Sequence, residues 1–174
     1  MIKLHLGCGK RYIPGFIHID IRNYKHVDKV CSAKNLGMFE NDTVDLIYAC
    51  HLLEHFKRNE TEDVLKEWYR VLKPKGILRL AVPDFEAIVK VYLKYGVIMN
   101  ALNGGQRDKY DIHYVTFDFK KLRKILSKVG FRKITRYNWW ETEHAHIDDY
   151  SQAYYPHMDK KNGILISLNV EAVK

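Results

Sequence analysis

Residues 4–21 read LHLGCGKRYIPGFIHIDI. Leu4 and Leu6 lead into Gly7-Cys8-Gly9, and a second apolar stretch, Phe16-Ile17-His18-Ile19, ends on Asp20. Glycines at a strand end let a ligand come up against the backbone, because no Cβ stands in the way. An acid closing the next strand is placed to accept hydrogen bonds from a ribose. A dinucleotide fingerprint needs a third glycine near position 12, where Tyr12 stands instead. The stretch therefore reads as a seat for some other nucleoside-bearing ligand.

Working outward, strand candidates alternate with helices, which argues for a mainly parallel α/β sheet. The strands are expected at 2–6, 16–21, 27–31, 44–50, 76–82, 131–138 and 163–172. The clearest helix follows Asn59. Asn59 and Glu62 have the spacing of a capping box, Val64, Leu65, Trp68 and Leu72 share a face, and Lys73-Pro74-Lys75-Gly76 stops it. Asp84 is expected to cap a second helix with Phe85, Ile88, Val89 and Tyr92 inward. A third, near 118–129, carries Leu122, Ile125, Leu126 and Val129 on one face, with Gly130 as a left-handed stop. Two long segments, 95–115 and 138–162, fall outside the alternation; polar and aromatic loops on a rigid sheet are where binding chemistry tends to sit.

With 174 residues, 47% hydrophobic and 29% charged, the chain is expected to be one domain over 1–174 with a real core. No apolar run approaches a membrane span, and no targeting segment is visible. Cys8, Cys31 and Cys50 lack CxxC spacing, so reduced thiols in a cytoplasmic protein are expected. The net charge of +8 favours an anionic partner, although many lysines fall on helix faces where solvation alone explains them.

In open α/β sheets a ligand lies beyond the carboxyl ends of the strands, near the switch point. Gly7 and Gly9 fall there on the first strand, Asp20 on the second, Ser32-Ala33 after the third, and Ala49-Cys50-His51 at the fourth. One ligand across four strand ends would touch all of them.

These residues resemble a class I S-adenosylmethionine-dependent methyltransferase, of the small methyltransferase-domain (type 11-like) kind grouped with surface-glycan biosynthesis. The resemblance is carried by Leu6-Gly7-Cys8-Gly9, by Gly15 to Asp20, by Asp45-Leu46-Ile47-Tyr48-Ala49-Cys50-His51-Leu52-Leu53-Glu54-His55, and by Trp68 through Asp84. It implies a Rossmann-like, seven-stranded, mostly parallel sheet with an antiparallel last strand at 163–172 and helices on both faces. It implies S-adenosyl-L-methionine as cofactor. The backbone of Gly7, Cys8 and Gly9 would pass the methionine part, Asp20 with Ile21 would meet the ribose, Ser32 and Ala33 the adenine, and Ala49, Cys50 and His51 would wall the sulfonium end. The chain departs from the pattern in three places. Ser32 replaces an acid, the crossover helix between Gly9 and Asp20 must be very short or absent, and the first strand begins with no helix before it. Less cover over the cofactor is expected, to be made up by the late loops or a partner subunit.

A sulfonium methyl is already a good electrophile, so holding the acceptor in line supplies much of the rate. An oxygen acceptor still benefits from a base, which points to histidine. His113, in the insertion after the fifth strand, is one candidate against a structural role, and His51 is a second, more readily a wall residue. Asp84 reads as a helix cap. His144, His146 and Asp148 can share one face of an extended segment and are ligand types a divalent metal accepts, but hydrogen-bonded loop residues or substrate contacts explain them as well, and no metal is assigned. Trp139, Trp140, Tyr150, Tyr154 and Tyr155 suit either a stacking platform or a satellite core. Leu53-Glu54-His55 resembles a nucleophile-base pair only superficially, since no serine or reactive cysteine goes with it. Cys8 and Cys50 read as small packing residues.

The leading expectation is O-methylation of a small acceptor, a sugar or a phosphorylated molecule. The alternatives are an RNA or protein methyltransferase using the basic surface, with nucleic acid compatible but not favoured, and a non-catalytic cofactor-binding module that stabilises a partner. A homo-oligomer is compatible with all three.

Overall fold

The computed structural model describes residues 1–97 and 100–174. The elements in chain order are β1 (Lys3–Leu6), β2 (Ile17–Asp20), β3 (Lys29–Val30), β4 (Val44–Cys50), α1 (Thr61–Val71), β5 (Leu72–Pro83), α2 (Phe85–Tyr95), α3 (Asn100–Asn103), α4 (Phe119–Val129), β6 (Arg132–Arg136), β7 (Tyr154–Tyr155), β8 (Ile164–Leu165) and β9 (Ser167–Val173). Seven of the strands make one sheet in the order β3-β2-β1-β4-β5-β9-β6. The first five pair in parallel, and β9 lies antiparallel between β5 and β6. The switch point between β1 and β4 is where the glycine turn sits, as the sheet rule requires. A small hairpin, β7 with β8, lies outside the sheet and was not expected.

Apart from register shifts at Val44/Leu46 and Arg132/Thr135, the strands alternate, and the two faces of the sheet differ in chemistry. Leu4, Leu6, Ile19, Ile47, Ala49, Leu78, Leu80, Val82, Leu168, Val170 and Ala172 form one apolar face, which α1 and α4 cover with Leu65, Trp68, Leu122 and Leu126. Trp68 is fully buried there, and its Nε1 donates to the Ala33 carbonyl at 2.8 Å, so no polar atom is stranded. Alternate positions put His5, His18, Tyr48, Arg79, Asn169 and Glu171 on the other face.

That second face is closed mainly by loops. Ile13 and Phe16, from the β1–β2 connection, pack on Leu46 and Tyr48, with Ile147 of the late loop against them. The 138–152 segment is pinned by polar bonds: Tyr48 OH donates to Asp149 Oδ2 at 2.6 Å, Asn169 Nδ2 to the Ser151 carbonyl at 2.8 Å, and Arg79 to Glu143 at 2.7 Å. No helix forms between Gly9 and Asp20, and the late loop does supply cover, although to the sheet face.

Several local expectations are corrected. Asn59 and Glu62 make no capping box: Glu60 is the N-cap, without a side-chain cap bond, and Glu62 is drawn instead to Lys66 at 3.2 Å and to Lys128. The helix ends at Val71, and residues 72–76 run into an irregular start of β5 rather than a terminating turn. Asp84 caps α2 as expected, accepting from Glu86 N and Ala87 N, but the buried stripe is Ala87, Ile88 and Val91. Phe85, Val89 and Tyr92 are exposed, because the helix packs against Ile166 through Ala87 and Val91. Gly130 ends α4 with a positive φ of 122°. Among the described residues, no helix is long and apolar enough to cross a membrane.

Candidate active site

The chain leaves β1 through Gly7, whose φ of 60° disfavours a side chain, and a Cβ there would stand 2.7 Å from Leu52 Cδ1. Gly7 N donates to the Ile19 carbonyl at 2.8 Å, which ties the turn to the end of β2. Gly9, with φ 56°, has open space where a Cβ would be. Its N–H donates to Asp20 Oδ2 at 2.8 Å, while Asp20 Oδ1 accepts from Arg22 N at 2.8 Å. A carboxylate offers about four lone-pair positions. Two are taken by backbone, so Asp20 is held rigidly and can still accept from two hydroxyls.

These groups open on a cleft of about 510 Å³ across the strand ends. Of the residues the sequence singles out, Gly7, Gly9, Asp20, Ile21, Ser32, Ala33 and His51 line it. Three others point elsewhere. The Cys8 side chain is buried under the turn, 3.8 Å from His26 Nε2, and burial, reinforced by Asp20, pushes its thiol up to about 12. Ala49 is buried in the apolar face, and Cys50 packs on the opposite side near Tyr48, so neither side chain walls the cleft.

His51 has a positive φ of 50° and turns Nδ1 to within 3.4 Å of Glu54 Oε1. Burial, with His113 and His55 nearby, lowers it to about 3. Glu54 follows β4 in the short turn Leu53–His55 and is fully buried. Both its oxygens lack a hydrogen-bond partner, and burial raises it to about 8. His55 lines the cleft. His113 does not: it stands behind His55, the rings edge to face at 4.8 Å, with Nδ1 bonded to the Ala101 carbonyl at 3.0 Å. His113, a candidate base in the sequence, therefore meets the cleft through His55 and not by lining it. Burial, with His55 adding to it, also lowers its basicity.

The residues to which the sequence assigns no site role are Glu54, His55, Arg22, Tyr24, Lys34, Lys57, Lys109, Tyr110 and Tyr114. Apart from Glu54, each of these lines the cleft. Lys34 is paired with Glu60 at 2.6 Å and Arg22 with Asp108, and Lys57 and Lys109 complete a basic rim. The signal for this rim was present as basic residues next to the strand ends, at Arg22, Lys34 and Lys57.

The late loop behaves differently from either expectation. His144 is buried against Tyr48, ring centroids 4.3 Å apart, whereas His146 and Asp148 are exposed, so the three do not share a face. Trp139 Nε1 donates to Tyr154 OH at 3.3 Å, and Tyr155 packs on Tyr95. Trp139, Trp140, Tyr150, Tyr154 and Tyr155 are not among the side chains lining the cleft.

Residues 8–80 match a family model described as a methyltransferase domain. No curated protein matches the chain. Solved structures with the same fold include an S-adenosylmethionine-dependent methyltransferase from Archaeoglobus fulgidus, 15% identical with a TM-score of 0.62, covering 99% of this chain and 85% of that one. One from Thermotoga maritima is 16% identical with a TM-score of 0.62, over 99% and 82% of the two chains. A third, the 1,6-didemethyltoxoflavin-N1-methyltransferase of Burkholderia thailandensis, holds 1,6-didemethyltoxoflavin and S-adenosylhomocysteine; it is 14% identical with a TM-score of 0.61, over 99% and 70%.

Proposed function

We propose that this chain is an S-adenosylmethionine-dependent methyltransferase, a reading supported by the methyltransferase-domain match over residues 8–80 and by the fold, and that it methylates an oxygen of a small anionic acceptor, a sugar or a similar hydroxylated molecule. The observation that carries the acceptor class is Lys57 and Lys109, beside the ion-paired Arg22 and Lys34, around a cleft that also presents Tyr24, Tyr110 and Tyr114. Cations suit a phosphate or carboxylate, and aromatic faces suit a sugar ring.

In this reading Asp20 accepts from the ribose hydroxyls of the cofactor. The Gly7 to Gly9 turn passes its methionine part, and Ser32 with Ala33 borders the adenine. The acceptor oxygen attacks the methyl carbon, the carbon–sulfur bond breaks, and the sulfur keeps the electron pair, leaving neutral S-adenosylhomocysteine. The hydroxyl proton passes to His51, the candidate base that faces the cleft, or to water. Burial makes His51 a weak base, so in-line positioning carries most of the rate. The domain is taken as residues 1–174, and three free cysteines support a reducing, cytoplasmic setting.

The test is turnover with methyl-labelled cofactor on sugar phosphates and nucleotide-linked sugars, with products read by mass spectrometry. The account expects a methyl ether on one anionic acceptor. Methylation confined to RNA or protein would replace this acceptor class with a polymer. Cofactor binding without turnover on any acceptor would replace the enzyme reading with that of a partner-stabilising module.

A further inference from the structure

We infer that Glu54, His55 and His113 form a binding site for a divalent transition-metal ion, opening onto the cofactor cleft. The three offer ligand atoms that all lie within 4.8 Å of one another, and they are the group of this kind found among the described residues.

Glu54 is the first reason. Its side chain is fully buried, and neither oxygen has a hydrogen-bond partner. A buried carboxyl without partners is costly, and such orphans call for an explanation. A buried ion pair with a protonated histidine does not supply one. His113 Nε2 lies 3.9 Å from Glu54 Oε1, beyond hydrogen-bond reach, and His51 Nδ1 at 3.4 Å makes no hydrogen bond to it.

The orientation of the histidines is the second reason. His55 Nδ1 is 3.0 Å from the Ile112 carbonyl, and His113 Nδ1 is 3.0 Å from the Ala101 carbonyl. A carbonyl only accepts, so each Nδ1 carries the proton and each neutral ring keeps its lone pair on Nε2. Backbone carbonyls that fix the far nitrogen in this way are the usual outer support of a metal-binding imidazole.

The third reason is how the two halves of the site are joined. Glu54 and His55 come from the turn after β4, whereas His113 comes from the 104–115 loop. Tyr114 N donates to the Glu54 carbonyl at 2.8 Å and locks the loop onto the turn. Gly104, with φ 77°, has no room for a Cβ, which would meet the Asp111 carbonyl and His113 Cδ2. The Asn103-Gly104-Gly105 stretch thus serves to bring His113 in.

Two imidazoles and one carboxylate suit zinc, manganese, iron or cobalt better than magnesium or calcium. Three protein ligands leave coordination positions open. His55 lines the cleft, so an open position on an ion it holds would be reached from there. There the ion would bind the acceptor hydroxyl oxygen and lower its pKa. The proton would go to water, and the oxygen would take the methyl group as the carbon–sulfur bond breaks onto sulfur. This role rests on the proposed reaction; the site itself does not.

The experiment is a titration of cobalt(II) into the chelator-treated 174-residue chain, followed by visible ligand-field absorption and by calorimetry, with zinc as competitor. The expected result is one ion per chain, with affinity falling about 100-fold or more in Glu54→Gln and His113→Ala. Affinity in His144→Ala and His146→Ala should be unchanged. His55→Gln serves in place of His113→Ala if circular dichroism shows that His113→Ala has not folded. Absence of stoichiometric binding overturns the proposal, as does unchanged affinity in folded Glu54→Gln. The readout uses no acceptor, so its failure leaves the methyl-transfer reading standing, and failure of turnover leaves the metal site standing.

Discussion

Tyr48, in the middle of the sheet, donates its hydroxyl to Asp149 Oδ2 at 2.6 Å across 101 residues of sequence. Both residues are buried, and Asp149 Oδ1 accepts from Ser151 N at 2.9 Å and from the Ser151 hydroxyl. The bond joins the polar face of the sheet to the loop that covers it. Tyr48→Phe leaves a buried carboxylate oxygen unmet, which costs about 1–3 kcal/mol. Urea denaturation is expected to show a loss of that size, with cofactor affinity retained. An unchanged midpoint would mean that the loop is held by other contacts.

Acid should loosen the same cover. Burial by itself would raise Glu143; hydrogen bonding to Arg79 outweighs it and holds the carboxyl down at about 2. A carboxylate lowered on folding stabilises the fold above its unfolded pKa and loses that contribution as pH falls through the folded one. Stability owed to Glu143 should therefore be intact at neutral pH and decline from roughly pH 4.5 toward 2. Glu143 is partly exposed, so screening keeps the effect modest. Glu143→Gln should flatten the melting-temperature profile in that window. A profile identical to that of the parent protein would remove the ion pair from the account.

Gly7→Ala places a Cβ 2.7 Å from Leu52 Cδ1 at a φ of 60°. The backbone strain alone costs about 1–3 kcal/mol. A melting temperature several degrees lower is expected, together with weaker cofactor binding as the turn shifts. Gly9→Ala has the space that Gly7→Ala lacks, so its stability loss should come from backbone strain alone and be smaller. Equal losses in the two variants would count against the role of Leu52.

Lys57 and Lys109 stand at the cleft mouth. Replacing both with alanine should raise KM for an anionic acceptor about 10-fold and weaken its salt dependence, while kcat and cofactor affinity stay near the parent values. Steady-state kinetics at two ionic strengths check this. An unchanged KM would detach the basic rim from acceptor binding.

The core of the fold is legible in local pattern. Gly7, Gly9 and Asp20 mark two parallel strand ends, and the helix at 61–71 and the later ones fall close to their expected places. The cover of the second sheet face was harder to see, although His5, His18, Arg79, Asn169 and Glu171 carried a signal. Parallel strands covered by helices on both faces tend to be continuously apolar. Strands that alternate apolar with polar residues instead indicate a second face met by something polar, here the 138–152 loop. The stripe on α2 was misread because exposed Phe85, Val89 and Tyr92 have the same period as the buried set. Glu54 and His55 stand out in the sequence only as part of a family motif and as a superficial nucleophile-base pair. Their relation to His113 is made by loop closure at Tyr114 and Gly104, which no local window contains.

The central claim is that an adenosyl group lies across these strand ends with its ribose on Asp20, and calorimetry with S-adenosylhomocysteine tests it most directly. One molecule should bind per chain, and Asp20→Ala, folded by circular dichroism, should bind about 10- to 100-fold more weakly, as loss of hydrogen bonds to a charged acceptor requires. Equal affinity in the two proteins, or no binding to the parent chain, would contradict the account.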